Sequence, residues 1–321
     1  MANPWPLGGK ELKIGVLGLT EGNGHPYSWS AMFNGYDKAR MAKCPFPGIP
    51  AYLDKQPPET MGNQGARVTH IHCDSREDAL DVAASSLIEH VVERPEDMIG
   101  QVDAVICATD IGSEHVRRCR PFIEAGVPML IDKPMVDNEQ DLRQFVRWRD
   151  EGASFISSSS MRYHKEMEPY YRNHYEIGKL MYICRPMCKK WETYGIHALE
   201  NIFPLLGLGF ESIQNTGTLE RNMLHIVHRE GCDIHIPLSA GMYGAFKYCL
   251  LVGSAESKAV STSDSYYSFK KQLDLFVRYL RTGQEPFPFE ETVELMKLVI
   301  GGIRSREEGG RVVRLHEIRE R

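Results

Sequence analysis

The sequence KIGVLGLTEGNGHPYSW, residues 13–29, decides the fold class. An apolar run ends at Gly18, and two more glycines follow within six residues. The pattern is close to the G-x-G-x-x-G turn that joins a first strand to a helix in dinucleotide-binding domains, but Thr20 replaces the second glycine. A helix that begins after such a turn offers unpaired backbone N–H groups to a pyrophosphate. We interpret the stretch as a modified nucleotide-binding turn; a glycine-rich loop for a different ligand stays an open alternative.

The rest of the first half alternates between strand and helix patterns. Apolar segments predict strands at residues 12–17, 66–74, 102–109, 127–132 and 153–159. Helices are predicted between them, starting at Ser75, Ser113 and Asp137 and with the last two ending at Gly126 and Gly152. Such alternation produces right-handed βαβ units with helices on both faces of a parallel sheet. We predict a doubly wound α/β domain.

The second half changes character. Strand-like segments follow one another without helices between them, at 180–191, 210–218, 221–230, 232–238 and 245–254. Two late segments have helical apolar faces, one with Phe269, Leu273, Phe276 and Leu280, the other with Val293, Met296, Ile300 and Ile303. RVVRL makes a final short strand. We predict a dinucleotide-binding domain over residues 1–161 and an α+β domain with a large, mostly antiparallel open-faced sheet over residues 162–321.

One segment interrupts the alternation. From Lys43 to Gly65 the sequence is rich in proline and glycine, which predicts a long loop between the first helix and the second strand. Loops of this length are uncommon unless they cover a site or join an interface. A plain surface insertion is the alternative.

Composition excludes several classes of function. The chain has 321 residues, 42% of them hydrophobic and 25% charged, which is ordinary for a globular protein. A net charge of -5 provides no basic field for nucleic acid or an anionic membrane. The first residues lack a secretory signal pattern, and no apolar run approaches the ~20 residues that span a bilayer. The eight cysteines form no C-x-x-C pair. We therefore expect a cytoplasmic protein without a metal site.

Lys133 is the first candidate for chemistry. It directly follows a predicted buried strand and precedes a proline that restricts the local backbone. Ligands bind at the carboxyl ends of strands in doubly wound sheets. A lysine there is partly removed from water, which favours proton exchange near neutral pH. A surface lysine at a strand end is the alternative.

His197 is the second candidate. It lies in the turn-rich stretch TYGIH, just before an apolar helical segment. Oxidation of an alcohol requires a base that takes the hydroxyl proton as hydride leaves the carbon, and histidine is the commonest such base. A structural or exposed histidine is the alternative, because the chain contains 12.

Five segments follow one another in an order found in one enzyme family. They are VDAVICATDIGSEH (102–115), AGVPMLIDKPM (125–135), SSMRYHKEMEPYYRNHYEIGKLMYI (159–183), TYGIHALE (193–200) and FPFEETVELMKLVIGGIRSREEGGRVVRL (287–315). Together they cover much of the chain. The sequence resembles the nicotinamide-dependent oxidoreductases named after glucose–fructose oxidoreductase, inositol dehydrogenase and MocA (Gfo/Idh/MocA).

The resemblance implies a function and a catalytic pair. The expected reaction is hydride transfer between NAD(P) and a secondary alcohol of a sugar, a polyol or a related cyclic compound. Lys133 and His197 would share the proton handling, and we expect the two side chains to converge beside the bound coenzyme. Asp132 replaces the family's glutamate before this lysine, and Thr193 replaces its aspartate four residues before this histidine. Fold alone does not settle function, so a non-catalytic ligand-binding or regulatory protein is the alternative.

The predicted cofactor is NAD. Asp74 ends the second predicted strand, where a carboxylate binds ribose hydroxyls and repels a 2′-phosphate, although nearby Arg76 makes NADP possible. The resemblance adds the turn after the fourth strand. The predicted cofactor-binding residues are Gly18, Thr20, Gly22, Gly24, Asp74, Arg76, Thr109, Asp110, His115 and Lys133. The predicted substrate-binding residues are Arg162, Tyr163, Trp191, Thr193 and Glu200, with packing as the alternative for the aromatic ones.

Two further expectations concern partners and metals. His70 and His72 share one strand face, and His225 and His228 lie close together in sequence, but neither pair has a matching third ligand, so we expect no metal. The segments CDIHIPL and AFKYCLLVG carry apolar residues on both faces. Since an open apolar face is usually covered, we expect a homodimer or homotetramer formed through the C-terminal sheet, as the resemblance also implies.

Overall fold

The structure is a computed structural model that describes residues 7–62, 65–171 and 173–321. Residues 1–6 lie outside the described residues. They belong to the segment for which we predicted that there is no secretory signal pattern. The described chain forms two compact units. The first contains the chain up to Asp132 with Arg147–Ser157 and Phe269–Pro286; the second contains Lys133–Val146, Ser158–Ser268 and Phe287–Arg321. The division into folding domains at residues 161 and 162 stays a prediction.

The first unit is built on a parallel six-stranded sheet with the order β3-β2-β1-β4-β5-β6. Its strands are β1 (Leu12–Leu17), β2 (Ala66–His72), β3 (His90–Val91), β4 (Ala104–Cys107), β5 (Met129–Ile131) and β6 (Phe155–Ser157). Strand order reverses between β1 and β4, which creates the crevice where doubly wound sheets bind ligands. The predicted doubly wound α/β fold is confirmed.

Helices connect these strands. They are α1 (His25–Asn34), α2 (Lys38–Met41), α3 (Gly48–Leu53), α4 (Arg76–Ser85) and α5 (His115–Glu124), followed by α6 (Glu139–Asp150), which begins in the second unit and ends in the first. Ser75 caps α4 as predicted, because its side chain accepts a hydrogen bond from the Asp78 N–H.

Three local predictions are corrected. Ser113 does not cap α5; it lies inside a 3₁₀ turn, and the helix begins at His115. Asn138 rather than Asp137 caps α6, because the Asn138 Oδ1 accepts from the Asp141 N–H at 2.9 Å. The segment from Lys43 to Gly65 is not a structureless loop. It contains α3 and a 3₁₀ turn, and α3 forms because Ile49 and Leu53, one helical turn apart, are both buried.

The second unit contains the larger sheet. Its order is β13-β12-β7-β11-β10-β9-β14, and β8 pairs with β11. The strands are β7 (Leu180–Cys184), β8 (Met187–Cys188), β9 (Phe210–Asn215), β10 (Arg221–His228), β11 (Cys232–Ser239), β12 (Tyr248–Gly253), β13 (Ser257–Ser261) and β14 (Val313–Arg314). Pairing is antiparallel except where β7 and β8 run parallel to β11, so the predicted mostly antiparallel sheet is confirmed. β13 was not predicted, because it is short and mostly polar.

Helices complete the fold. They are α7 (Ile196–Leu206), α8 (Ser265–Thr282), which continues into the first unit, and α9 (Phe289–Glu307). A single π-helical turn, Trp191–Gly195, leads directly into α7. The Trp191 indole fixes this turn, since it is fully buried and donates to the Val299 carbonyl of α9 at 2.9 Å. Nowhere in the described ranges is a helix both long and apolar enough to cross a membrane.

Candidate active site

The glycine turn after β1 is tied to the ends of two neighbouring strands. The Thr20 hydroxyl donates to Asp110 Oδ1 at 2.8 Å, just beyond β4. The Asn23 amide donates to Asp132 Oδ2 at 2.8 Å, just beyond β5, and His25 Nδ1 lies 2.6 Å from the same oxygen. All three contacts lie at the carboxyl edge of the parallel sheet. The two carboxylates therefore hold the turn against the switch point.

Close packing explains two of its glycines. A Cβ atom on Gly18 would lie 2.4 Å from Pro26 Cγ, so the first turn of α1 leaves no room for a side chain. A Cβ atom on Gly24 would lie 2.6 Å from Ile49 Cδ1 and 2.8 Å from Phe46 Cγ. Phe46 and Ile49 thus pack directly on the glycine turn.

The start of α1 keeps part of its capacity to bind an anion. The His25 N–H donates to Asn23 Oδ1 at 3.0 Å, and Pro26 has no N–H to offer. The Ser28 N–H donates to the Gly24 carbonyl at 3.1 Å, which leaves the Tyr27 N–H as the first-turn donor without an acceptor in the helix. This N–H lies at the switch point, where doubly wound sheets receive the pyrophosphate of a dinucleotide.

Asp74 lies two residues beyond β2 and is held by an arginine. Arg118 Nη1 and Nη2 donate to its two carboxylate oxygens at 2.9 and 2.6 Å. Hydrogen bonding from Arg118 lowers the pKa of Asp74, so the carboxylate is anionic at neutral pH. The predicted NADP-binding alternative, Arg76, instead forms an exposed ion pair with Glu93. The residues at the end of β2 therefore suit ribose hydroxyls.

The turn after β4 is buried. Thr109 and His115 are fully buried, and His115 Nε2 donates to the Thr109 carbonyl at 2.8 Å. Asp110, which is 7% exposed, faces Thr20. These residues shape the edge of the sheet beside the glycine turn, and a contact between them and a cofactor stays a prediction.

In the second unit, Lys133 and His197 meet at one aromatic ring. Lys133 Nζ lies 5.2 Å from the centroid of the Tyr194 ring, and the His197 ring packs edge-on against it with centroids 4.8 Å apart. Both predicted residues are nearly buried, at 3% and 6% exposure. A second ammonium, that of Lys189, lies 4.2 Å from the centroid of the same ring. The ammonium and the imidazole thus share one aromatic neighbour, although 64 residues separate them in sequence.

A serine side chain contacts the His197 ring. The Ser159 hydroxyl lies 2.6 Å from His197 Nδ1. The Ser159 backbone N–H donates to Glu200 Oε1 at 3.0 Å. Glu200 lies on α7 about one turn after His197. It contacts the Ser159 backbone, and Ser159 in turn contacts His197.

Glu200 belongs to a buried charged cluster. Arg162 Nε donates to Glu200 Oε2 at 2.7 Å, and its two terminal nitrogens donate to Glu291 Oε2 at 2.8 and 2.7 Å. Burial raises the pKa of Glu200 to about 7, against the opposing effect of Arg162. Two buried carboxylates share one guanidinium, and the nearby charge of Glu291 adds to the rise in the pKa of Glu200.

The other four predicted substrate-binding residues are buried or half-buried. Arg162 is committed to its two carboxylates, and the Tyr163 hydroxyl lies 3.1 Å from that of Ser158. Trp191 packs in the interior against Gly195 and Gly302, while Thr193 is half-buried in the π turn. Substrate contacts by these four residues stay a prediction.

Sequence reasoning missed several residues of the two sites. Tyr194 lies inside the motif TYGIHALE, so the motif itself was a signal for it. Ser159, Glu291, Lys189 and Arg118 gave no local signal, because their partners are brought to them only by the fold. The backbone of Lys189 has a positive φ angle of 64° in the structure.

Two of the histidines considered as metal ligands contact neighbouring oxygen atoms. His70 Nδ1 bonds Thr69 Oγ1 at 2.8 Å, and His72 Nδ1 contacts the Val92 carbonyl at 3.3 Å. Across the described part of the chain, no group of three or more histidine, cysteine, aspartate or glutamate side chains is arranged to hold a metal ion.

The sheet order and the glycine turn at its switch point define a Rossmann-type protein. Within this class, residues 49–156 match the sequence profile of the Gfo/Idh/MocA family, described as an oxidoreductase family with an NAD-binding Rossmann fold. Over these residues the match agrees with the resemblance that the sequence segments indicated. No curated protein matches the chain.

Solved structures share the fold over nearly the whole chain. A probable dehydrogenase from Thermotoga maritima has 15% identity and a TM-score of 0.73, covering 96% of this chain and 100% of that one. Scyllo-inositol dehydrogenase from Lactobacillus casei, with bound NAD(H) and scyllo-inositol, has 13% identity and a TM-score of 0.72, with coverages of 96% and 100%. An oxidoreductase from Agrobacterium radiobacter, in complex with NAD+, L-tartaric acid and magnesium, has 14% identity and a TM-score of 0.72, with coverages of 97% and 100%.

Proposed function

We propose that the protein is an NAD-dependent oxidoreductase that acts on a secondary alcohol of a polyol, a sugar or a related cyclic compound. The observation that carries this proposal is the meeting of Lys133 and His197 at the Tyr194 ring. The match to an NAD-binding oxidoreductase family supports the cofactor. The inositol bound to the Lactobacillus casei protein of the same fold supports a polyol as the class of substrate.

NAD would be held by the first unit. The first turn of α1 would receive the pyrophosphate, and the Asp74 carboxylate would accept hydrogen bonds from the ribose hydroxyls. A 2′-phosphate would meet the negative charge of Asp74, which disfavours NADP. The bound nicotinamide would supply a hydride acceptor at its C4 atom.

The second unit would handle the proton. As the carbinol C–H bond breaks and its electron pair leaves as hydride, the O–H proton passes to His197 Nε2 and the C–O bond becomes a carbonyl. The Lys133 ammonium donates a hydrogen bond to the same oxygen and stabilises the negative charge that develops on it. In the reverse direction, His197 returns the proton to the alkoxide oxygen. The Tyr194 ring, which contacts both groups, would limit their movement relative to each other.

The test is a thermal-shift titration of the purified protein with NAD, NADH, NADP and NADPH, followed by assays on a panel of polyols and sugars. A larger shift with NAD(H) than with NADP(H) is expected. Lys133→Ala and His197→Ala should each remove turnover while leaving the melting temperature nearly unchanged. Lys38→Ala and His90→Ala, with side chains 78% and 57% exposed, are the matched controls. An active Lys133→Ala/His197→Ala double variant would refute the catalytic assignment, and no shift with any nucleotide would favour a non-catalytic protein.

We also infer that two or four copies associate through the exposed face of the second sheet. Strands β10 and β12 alternate between buried residues and exposed ones on this face. The exposed positions include Met223, Tyr248 and Leu250, which are 46%, 55% and 38% exposed in the single chain. Exposed apolar side chains on more than one strand of an open sheet are typical of a surface that a partner covers.

A further inference from the structure

We propose that Phe246 forms an aromatic wall beside His197 and selects cyclic alcohols over open-chain ones. In this role the phenyl ring packs against the C–H bonds on one face of the substrate ring, and Arg185 is a positioning residue that holds Phe246 in place. This inference rests on the proposed function and narrows its substrate class, because it concerns the surroundings of the histidine that would take the proton.

The Phe246 ring lies beside the imidazole of His197. The two ring centroids are 6.3 Å apart with an interplanar angle of 76°, an edge-on arrangement that aromatic pairs commonly adopt. Phe246 is half-buried in the single chain, so part of its ring surface is accessible to a ligand. A molecule whose hydroxyl group reaches His197 would therefore also come close to the phenyl ring.

Phe246 belongs to an exposed turn, residues 240–247, that joins β11 to β12. Tyr243 in this turn is 63% exposed, and a Cβ atom on Gly241 or Gly244 would meet no atom within 4 Å. Much of the turn is therefore surrounded by solvent rather than by packed side chains. The position of the phenyl ring depends on what holds the end of the turn that carries it.

Arg185 holds that end of the turn. Its Nη2 donates to the Phe246 carbonyl at 2.9 Å, and its Nη1 donates to the Tyr248 carbonyl at 2.9 Å. Its Nε donates to Asn201 Oδ1 at 2.8 Å. Asn201 lies on α7, about one turn after His197. One guanidinium therefore connects the backbone that carries the phenyl ring to the helix that carries the histidine.

The surroundings of Arg185 are unusual for a cation. The side chain is fully buried, and its other partners are the Pro186 carbonyl at 3.1 Å and Met161 Sδ at 3.6 Å. Within the described part of the chain, no carboxylate contacts the guanidinium, and burial lowers the pKa of Arg185. Buried charges are normally paired, because removing a charge from water is costly. The rigid fork of N–H donors, which holds several oxygen atoms at set angles, offsets this cost and fixes the position of Phe246.

A phenyl ring in this place favours a substrate with an apolar face. In a cyclic polyol or a pyranose sugar, C–H bonds on the faces of the ring form small apolar patches. Such a patch buries apolar area against an aromatic ring, whereas the phenyl ring offers no conventional hydrogen bond to hydroxyl groups. An open-chain polyol must first lose rotational freedom before it presents a comparable face. The wall therefore selects ring-shaped alcohols and places their carbinol at His197.

The kinetics of Phe246→Leu test the wall. The protein is assayed with NAD and two sets of alcohols, inositols and pyranose sugars in one set and open-chain hexitols in the other. Phe246→Leu should lower kcat/KM for the best cyclic alcohol roughly fivefold to tenfold and change that for the hexitols little. Tyr243→Leu is the matched control, because Tyr243 lies in the same turn and is exposed, and its kinetics should be unchanged. An unmodified protein that prefers hexitols, or an equal effect of Phe246→Leu on both sets, would overturn the wall and leave the proposed oxidation of an alcohol standing.

Arg185→Lys separates positioning from plain structural support. The variant keeps the charge but loses the fork, so the preference for cyclic over open-chain alcohols should fall as it does in Phe246→Leu. In a protein that already carries Phe246→Leu, the same change should have no further effect on this preference. Equal losses of rate with both sets of alcohols, in either background, would refute the positioning role. If Arg185→Lys does not fold, the Phe246 variants decide alone.

Saturation-transfer NMR distinguishes a failure of the wall from a failure of the proposed function. Aromatic protons of the protein are irradiated in the presence of NADH and myo-inositol, and the C–H protons of the inositol are observed. Less saturation is expected in Phe246→Leu than in Tyr243→Leu. Equal saturation in the two variants would overturn the wall, whether or not the protein is active. Binding without turnover of any alcohol would contradict the proposed function and leave the wall intact, and a protein that binds no cyclic alcohol would overturn both.

Discussion

Arg118 donates hydrogen bonds from both of its terminal nitrogens to Asp74, at 2.9 and 2.6 Å, and its Nε donates to Glu114 at 2.8 Å. The guanidinium is 9% exposed, whereas the Asp74 side chain is 61% exposed. A largely buried arginine on α5 thus aims an exposed carboxylate beyond β2. A bidentate pair of this kind fixes the plane of the carboxylate as well as its position.

This relationship predicts a role for Arg118 in cofactor binding. Arg118→Gln should raise KM for NAD roughly fivefold to tenfold, the effect of losing the bonds that orient Asp74, with kcat nearly unchanged. Arg120→Gln is the control, because Arg120 is also on α5 but contacts Glu124 and the Trp148 ring rather than Asp74. Steady-state kinetics with varied NAD measures both variants, and an equal KM in the two would contradict the prediction.

Glu200 predicts a pH dependence of stability. Burial raises its pKa in the folded protein to about 7, above the value of about 4.3 expected in an unfolded chain. The folded state therefore binds this proton more tightly. The resulting stabilisation is complete below about pH 4.3 and is lost as pH rises through about 7. Glu200→Gln should remove this loss, so its free energy of unfolding should fall less between about pH 5 and pH 8 than that of the unmodified protein.

Denaturant unfolding at several pH values measures the effect. Glu290→Gln serves as the control, since Glu290 is exposed in the first turn of α9. Parallel curves of stability against pH for Glu200→Gln and the unmodified protein would show that Glu200 is ionised throughout.

The contacts of Tyr194 predict that turnover depends on its ring and much less on its hydroxyl. Tyr194→Leu removes the ring that contacts both Lys133 and His197, so kcat should fall at least tenfold through loss of their alignment. Tyr194→Phe keeps the ring and should retain most of kcat. Initial rates with saturating NAD and alcohol give the comparison, and similar rates for the leucine and phenylalanine variants would argue against an aligning ring.

Gly24 predicts a steric effect on stability. Gly24→Ala places a methyl group within 2.6 Å of Ile49 Cδ1, and the resulting overpacking should cost about 1–3 kcal/mol. Gly48→Ala, at the start of α3, meets no atom within 4 Å and should stabilise the protein by about 0.5–1 kcal/mol. Chemical denaturation of both variants distinguishes steric crowding from a general sensitivity of this region. A Gly24→Ala protein as stable as the unmodified one would mean that Phe46 and Ile49 give way freely.

The exposed face of the second sheet predicts a change of oligomeric state. Leu250→Arg places a charge in the middle of the proposed contact surface and should produce monomers in light scattering coupled to size-exclusion chromatography. Leu219→Arg is the control, because Leu219 is 54% exposed but lies before β10 rather than on the face. A monomeric unmodified protein, or an unchanged oligomer in Leu250→Arg, would refute the proposed contact.

Sequence patterns predicted most strands of both units because each of these is a short apolar run or a clear alternation, whereas the short β3 and the mostly polar β13 were not predicted. They predicted the first unit's order of elements for the same reason, since βαβ units leave few topologies. Helix starts were less predictable. Ser113 and Asp137 are both acceptable caps. The start of α5 at His115 and the capping of α6 by Asn138 depend on how the neighbouring turns meet the sheet.

The candidate site was predictable only as far as motifs reach. Lys133 and His197 follow from strand-end and turn patterns, but their common partner Tyr194 is set by the π turn. Ser159 and His197 are joined by a contact between segments 38 residues apart, and Arg162 and Glu291 by one between segments 129 residues apart. Contacts of this kind depend on tertiary packing, which a single sequence does not display.

Trp191 gives the second unit an internal optical reporter. Its indole lies between Gly195 and Gly302 and is fully buried, so its fluorescence should be blue-shifted relative to that of an indole in water. Any opening of the π turn would admit solvent to this chromophore and shift its emission to longer wavelength. Stopped-flow fluorescence of a protein in which Trp191 is the sole tryptophan would therefore follow the motion of the segment that carries Tyr194 and His197, on the timescale of turnover.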